Sequence, residues 1–488
     1  MLDTLTPMSV RYPDLARFEK GIQQLVEKGY FQKDVEILVN RTPGRLDLMG
    51  GNDDYTGGLV FETTIREATL VAIQARSDRR VCFYNPAVKA LGWSETVEFS
   101  LEDLAVNGQV KPLESVRAWI NSEPARAWCA YILGNLYYLI KQFPERVSHG
   151  LSLYLESDVP LGKGVSSSAA LEVAPMKAMA ELYGVPLQGV ALAAATQWVE
   201  IALTQSAAGI MDQLAVVMGD EDFFVPMLCQ PCDPRPLVRL PASLRLWGID
   251  SGVRHSVAGI EYEAARAATF MGYRYLCEWE KLSPHLDESG SLPRWVEPKW
   301  NGYLANLTTS LFRLNYESRL PEQVSGAEFL GQSALHLDPF TPVRPEVTYP
   351  VRAATRYAVE ENWRVQSFFS LLSRPADTID DTCGSLLGEL MYLAHLGYSQ
   401  CGLGSSATDK LVELVRAEKG RGLLGAKITG GGAGGTVAIL GWNRPEAEDA
   451  FRRVVEQYAA WSKSEPYVFT GSSAGCDKFG VLHITYPG

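Results

Sequence analysis

The sequence predicts an α+β protein of two domains, on three observations. At roughly 150 residues per domain, its 488 residues suggest two to three units, and large mixed domains favour two. Segments of two-residue apolar alternation are interspersed with segments of helical periodicity along the whole chain, so neither an all-α nor an all-β fold fits. Glycine-rich loops punctuate these segments at 43–58, 160–169 and 430–435, where the chain must turn sharply.

The elements follow in order. Residues 14–30 read as an amphipathic helix, and Val35-Glu-Ile-Leu-Val-Asn40 as a strand broken at Thr42-Pro-Gly44, since proline and glycine punctuate strands. Residues 59–74 are rich in Val, Thr and Ile, the residues that suit strands. Leu151–Ser157 alternates with period two, as a half-buried strand does. Helices are expected from Ser167 to Tyr183 and over 187–204, followed by a small-residue, apolar stretch at 206–219 around Asp212. A strand from Arg245 leads to Asp250-Ser-Gly252, and a long helix covers 259–280. Residues 283–350, rich in Pro, Gly and Asn, read as irregular with short helices. Helices at 353–372, 383–397, 406–418 and 445–461, and strands at 436–440, 467–470 and 481–486, complete the chain. The first domain boundary is expected within 205–240.

Composition removes whole classes of function. Asp and Glu number 57 against 45 Lys and Arg, a net charge of −12, whereas a nucleic-acid partner demands a positive face. A phosphate-bearing ligand must therefore be held locally, by backbone amides, a metal or a few placed cations. No stretch reaches the roughly 18 apolar residues of a membrane span. Met1-Leu-Asp-Thr carries an acid where a secretory leader carries positive charge, so a cytoplasmic protein is expected. Eight scattered cysteines read as reduced thiols, and Cys229-x-x-Cys232 lacks the second ligand pair that zinc requires. The six histidines show no metal-ligand spacing.

Chemistry concentrates in the three glycine loops. The first, Pro43-Gly-Arg-Leu-Asp-Leu-Met-Gly-Gly-Asn-Asp-Asp-Tyr-Thr-Gly-Gly58, mixes Arg45 with the carboxylates of Asp47, Asp53 and Asp54. Carboxylates accept paired hydroxyl hydrogen bonds, so this loop suits a polyol; an ordinary solvated turn is the plain alternative. The second, Pro160-Leu-Gly-Lys-Gly-Val-Ser-Ser-Ser-Ala169, opens a helix whose free amides and dipole attract an anion. Its lysine precedes glycine, so it is not a Walker A loop, and three serines exceed the needs of one helix cap. The third, Gly430-Gly-Gly-Ala-Gly-Gly435, satisfies G-x-G-x-x-G but runs straight into a strand, and Glu456 lies on a helix. A dinucleotide reading therefore fails.

In this order the three loops resemble the motifs of the GHMP kinases, the galacto-, homoserine, mevalonate and phosphomevalonate kinases. Pro43-Gly-Arg…Gly-Gly-Asn-Asp-Asp-Tyr-Thr-Gly-Gly, Gly209-Ile-Met-Asp-Gln213 and Arg254-His-Ser-Val-Ala-Gly-Ile-Glu-Tyr262 are similar to segments of galactokinases. The likeness extends to the kinase half of plant L-arabinokinases through Trp247-Gly-Ile-Asp-Ser-Gly-Val-Arg-His-Ser256, Lys427-Ile-Thr-Gly-Gly-Gly432 and Gly471-Ser-Ser-Ala-Gly-Cys-Asp-Lys-Phe-Gly480. It covers about residues 36–485. The resemblance implies a two-domain GHMP kinase fold. Residues 1–215 would form a ribosomal S5 domain 2-like unit carrying the first two motifs, and 216–488 a ferredoxin-like unit carrying the third.

It also implies a sugar 1-kinase that uses ATP and Mg2+. Asp212 takes or orients the proton of the anomeric hydroxyl. Arg45 keeps Asp212 ionised and neutralises the transferring phosphoryl group. Gly162, Lys163, Gly164, Ser166, Ser167 and Ser168 cradle the phosphates, joined by Gly431 and Gly432, and Trp128 and Tyr131 lie near the adenine. Ser168 and Glu200 hold magnesium, whose remaining shell is water and phosphate. Asp54, Gly51, Asn52, Gly209 and Tyr262 line the sugar site. Galactokinases have Glu-His where this chain has Gly51-Asn52, and that pair lies towards the sugar's hydroxymethyl. A carboxylate facing a missing hydroxyl is left unpaired, so Gly51 suits a pentose, L-arabinose, and Gly51→Glu is expected to favour galactose. Asp53 and the lack of a cation in 51–56 count against galacturonate. Galactokinase, galacturonokinase and a non-catalytic sugar and ATP sensor remain alternatives. Three departures stand out: Thr204-Gln-Ser-Ala-Ala-Gly209 beside the sugar, Tyr357 in place of a histidine, and Pro175, expected to kink its helix.

Overall fold

A 17-residue strand is the spine of the first sheet. The computed structural model describes residues 11–106, 109–253, 259–290, 292–333 and 335–488. The N-terminal leader reading and Arg254–Ala258 of one galactokinase-like segment lie outside the described residues. The first sheet comprises β1 (Ile37–Met49), β2 (Leu59–Ala75), β3 (Arg80–Tyr84), β4 (Thr96–Ser100), β5 (Leu151–Ser157) and β6 (Phe223–Leu228). β1 pairs antiparallel with one edge of β2, while the other edge pairs with β6 at its start and β5 at its end. β3 runs parallel to β5 and antiparallel to β4.

Both faces of this sheet are covered, which explains the nearly unbroken burial along β2. Leu70 and Ala72 pack with Phe18 and Ile22 of α1 (Pro13–Glu27). The alternate residues Val71 and Ile73 join the core formed by α2 (Ala130–Gln142), α3 (Ser167–Leu182), α4 (Gly189–Val199) and α5 (Met211–Met218). A period of two sends neighbours to opposite faces.

β1 does not stop at Thr42-Pro-Gly44 as expected. It runs through to Met49, with irregular register between Pro43 and Arg45 and again between Asp47 and Met49. Gly44 serves a close approach rather than a break: a Cβ there would lie 2.5 Å from the Val165 carbonyl oxygen, and Arg45 N donates to that same oxygen. α3 likewise continues through Pro175.

The second sheet comprises β7 (Leu244–Asp250), β8 (Leu423–Ile428), β9 (Thr436–Trp442) and β10 (Val468–Thr470), in spatial order β8-β9-β7-β10. Numbered along the chain that is 4-1-3-2, all antiparallel, the ferredoxin-like order. α8 (Asp381–Gln400), α9 (Ser406–Ala417) and α10 (Pro445–Ser462) supply much of its core. Between β7 and β8, α6 (Ile260–Trp279) and α7 (Val351–Leu372) enclose a third core with the segment between them. That segment holds short helices at Thr309–Asn315 and Gly326–Gln332.

The expected cut at 215/216 needs correction. β6 and the short strand Val238–Arg239 hydrogen-bond into the first sheet, and Leu482–Ile484 (β11) returns from the far end of the chain to pair with β1. Among the described residues no helix is long and apolar enough to cross a membrane.

Candidate active site

The irregular register of β1 sets the site, because such bulges re-aim a strand's side chains. Arg45 sits in a cavity of about 190 Å3 between the two sheets' loops. Its Nε and Nη2 donate to Asp212 Oδ1 at 3.0 and 2.6 Å, and Nη1 donates to the Gly164 carbonyl at 2.8 Å. One guanidinium thus ties β1 to the start of α5 and to the second glycine loop. Burial pulls this guanidinium down, but the carboxylates of Asp212, Glu62 and Asp47 outweigh it and hold the group above its ordinary value. Glu62 lies 2.9 Å from Nε, off the hydrogen-bond direction, so neither of its oxygens has a hydrogen-bond partner. Burial and the charge of Asp47 push the Glu62 carboxyl well above the usual range.

The second glycine loop forms the cavity wall. Ser166 takes a left-handed conformation at φ 58° and makes no side-chain cap, so the serines do not serve simply to close the helix end. α3 therefore presents first-turn amides without helical partners, an anion-binding arrangement. Ser166 Oγ and Ser206 Oγ are buried without a hydrogen-bond partner. The third loop packs backbone to backbone against the second. A Cβ on Gly435 would come 2.8 Å from the Lys163 carbonyl oxygen, and one on Gly430 would come 2.9 Å from that of Gly164; both glycines have positive φ, so only glycine fits without strain.

Glu200 ends the helical run of α4 and opens a widened turn over Glu200–Thr204. Burial, with the charge of Asp212 added, pushes its carboxyl up to about 7, while hydrogen bonds from Ser168 and Gln213 oppose the shift. Gln213 Nε2 donates to it at 2.6 Å. No cation pairs with Glu200 among the described residues. A buried carboxylate joined to a serine hydroxyl beside an anion-binding helix end supplies the hard oxygens that Mg2+ takes, so these residues fit that ion. Among the described residues no cluster of three His, Cys, Asp or Glu forms a dedicated metal cage.

At the other end, burial and the Asp212 charge push Asp54 up to about 6, while Arg266 opposes the shift. Gly209 must be glycine here, since a Cβ would fall 1.5 Å from Asp54 Oδ2. Tyr262 donates to the Ala207 carbonyl at 3.1 Å, as does Arg266 at 2.5 Å. Arg266 is buried and forked onto Asp338 at 2.8 and 3.0 Å. Asn52, left-handed at φ 59°, donates from Nδ2 to Gly431 O at 3.3 Å.

The cavity lining gathers most of the residues singled out in the sequence: Arg45, Asn52, Asp54, Tyr131, Gly162, Gly164, Ser166, Ser167, Ser168, Glu200, Gly209, Asp212, Tyr262 and Gly431. Four lie elsewhere. Trp128 is buried in the first domain's core and donates its indole N–H to Ser94 O. Lys163 turns to Asp250 at 2.7 Å. Gly432 packs on Leu403. Gly51 faces a polar cluster, and a Cβ there would meet Tyr398 Oη at 2.0 Å and Asp47 Oδ2 at 2.1 Å. Its carbonyl accepts from Tyr357, the residue that stands where a histidine was expected, at 2.7 Å. The expectation that Gly51 stands at the sugar, in place of a carboxylate that would face a missing hydroxyl, therefore gives way to a packing reason: Gly51 leaves room for Tyr398 and Asp47. Asp53 is also withdrawn from the cavity; burial raises its carboxyl well above the usual range, and Thr56 bonds to it. Glu62, Glu172, which accepts from Gln213 Nε2 at 3.4 Å, and Arg266 escaped the sequence reading. Glu62 and Glu172 leave a signal as lone charges in apolar or threonine-rich runs; Arg266 leaves none.

Residues 130–220 match the GHMP kinases N terminal domain, 378–460 the GHMP kinases C terminal domain, and 28–75 the galactokinase galactose-binding signature. Three separate segments of the chain are thus similar to GHMP kinase family models. It is 35% identical to L-arabinokinase of Arabidopsis thaliana over 497 aligned residues, covering 93% of this chain and 47% of that protein. It is 34% identical to galactokinase of Chloroflexus aurantiacus over 239 aligned residues, covering 49% of this chain and 55% of that protein. The chain thus spans about half the length of the curated relatives it matches. The crystal structure of Lactococcus lactis galactokinase complexed with galactose shares the GHMP kinase fold, with a TM-score of 0.70 at 20% identity, over 96% of this chain and 100% of that one.

Proposed function

We propose that this chain transfers the γ-phosphoryl group of ATP to the anomeric hydroxyl of a monosaccharide, with L-arabinose the leading acceptor. The observation that carries this reading is the Arg45–Asp212 pair on the wall of the glycine-loop cavity. Phosphoryl transfer asks mainly for positioning and charge neutralisation. Asp212 accepts the proton of the attacking hydroxyl. Arg45 orients that carboxylate and stabilises negative charge on the oxygen and the phosphoryl group. Ser166, Ser167 and Ser168 with the α3 amides hold the phosphates, and Asp54, Asn52 and Tyr262 hold the sugar. Ser168 and Glu200 would hold Mg2+, which supplies charge neutralisation across the phosphates.

The L-arabinokinase similarity over 93% of the chain supports arabinose over galactose. Sugar-dependent ADP release with Mg-ATP tests the reading. Release driven by L-arabinose supports it, and ATP binding without release on any sugar would point to a sensor.

A further inference from the structure

Arginine partners are distributed unevenly over this molecule. Among the described residues, Arg66, Arg239 and Arg374 alone lie neither against a carboxylate nor over an aromatic ring; every other described arginine does one or the other. All three are exposed and all three line one groove of about 1060 Å3. Their only acidic neighbour in the lining is Asp222, and a fourth arginine there, Arg245, is engaged by Glu448 at 3.0 Å. Gly471, at φ 77°, yields the space that Arg66 Nη2 occupies, 3.0 Å from where its Cβ would stand. In a chain of net charge −12, three guanidinium groups without a carboxylate partner line one concavity, Arg374 meeting only the Cys383 thiol, and an anion can join them. Guanidinium forks match phosphate oxygens in geometry as well as charge.

We propose that this groove is a second binding site, for a phosphate-bearing small molecule of nucleotide or sugar-phosphate size, held by Arg66, Arg239 and Arg374. It is separate from the catalytic cavity yet touches the same strands. Leu46 and Thr63 line the groove, and Leu46 follows Arg45 on β1, so the two residues face opposite sides of the strand. A ligand here therefore bears on the strand that carries Arg45.

The test uses amide hydrogen exchange on the whole chain, with millimolar pyrophosphate or uridine diphosphate as probes, at physiological salt and without ATP, read at the groove segments rather than at the catalytic cavity. Protection over residues 237–246 and 469–472 by both probes identifies the phosphates as the recognised group. Protection by uridine diphosphate alone adds recognition of the base. The variant R66Q/R239Q/R374Q should lose about tenfold or more in probe affinity at an unchanged melting temperature. Absence of protection by either probe, or equal affinity in the triple variant, overturns the proposal. Because the readout is protection and affinity rather than turnover, its failure is distinct from failure of the kinase reading.

Discussion

Asp212 serves the proposed chemistry as the proton acceptor, and Arg45 pairs with it at 2.6 Å. Asp212→Asn keeps the shape and removes the proton acceptor, so turnover should fall by about 10^2 to 10^4 with ATP affinity unchanged. Near-normal turnover in that variant would remove the assigned base. Glu200 gives a pH prediction. Its carboxyl, pushed up to about 7, takes a proton on folding between its free value near 4.3 and about 7, so cation-free stability falls as pH rises through that window. A divalent cation must displace that proton. The Mg2+ concentration for half-maximal ADP release should therefore drop as pH rises from about 6 and level off above about 7; a pH-independent requirement would contradict the assignment. Arg45, Ser168 and Asp212 were singled out because each sits in a patterned motif, and Glu200 through the family resemblance alone. Arg266 and Glu62 were not, because their partners Asp338 and Arg45 are brought to them only by folding. Trp128 and Lys163 misled because a motif position fixes the backbone but not which way a side chain turns.

At the scale of elements, the first glycine loop does more than turn. Gly44 admits the Val165 carbonyl, and Gly51 admits Tyr398 and Asp47. Gly51→Ala should lower stability by about 1 to 3 kcal/mol, the ordinary cost of overpacking, seen as a lower melting temperature. Gly51→Glu should fail in the same way rather than change sugar preference; a stable variant with improved galactose turnover would restore the hydroxymethyl argument. The long elements were readable from the sequence. β2, β5, α3, α6, α7 and α10 fall within a few residues of their expected bounds. β1 extended further than expected because Pro43-Gly44 is absorbed as an irregularity instead of ending the pairing. β3, β4 and β8 are short, five, five and six residues, so local periodicity did not single them out.

At the scale of the molecule, the two sheets are locked beside the cavity by buried polar contacts. Lys427 on β8 pairs with Asp47 on β1 at 2.7 Å with both side chains fully buried. Asp47 N donates to Thr429 Oγ1 at 2.7 Å, and Tyr398 donates to the Gly430 carbonyl at 2.7 Å. Removing one member leaves the other charge buried and unpaired. Lys427→Met should therefore cost about 3 to 5 kcal/mol in denaturant unfolding, and a loss below about 1 kcal/mol would place the lock elsewhere. The ferredoxin-like order 4-1-3-2 was implied by the motifs, whereas the return of β11 to β1 had no local signal, since only the closed sheet reveals the pairing.

The most direct measurement is ADP release by the whole chain with Mg-ATP across L-arabinose, D-galactose, D-galacturonate and D-glucose. Turnover on L-arabinose well above the other three is the predicted result. Turnover chiefly on galactose or galacturonate would contradict the acceptor, and ATP binding with no release on any of the four would contradict the proposed transfer to these sugars.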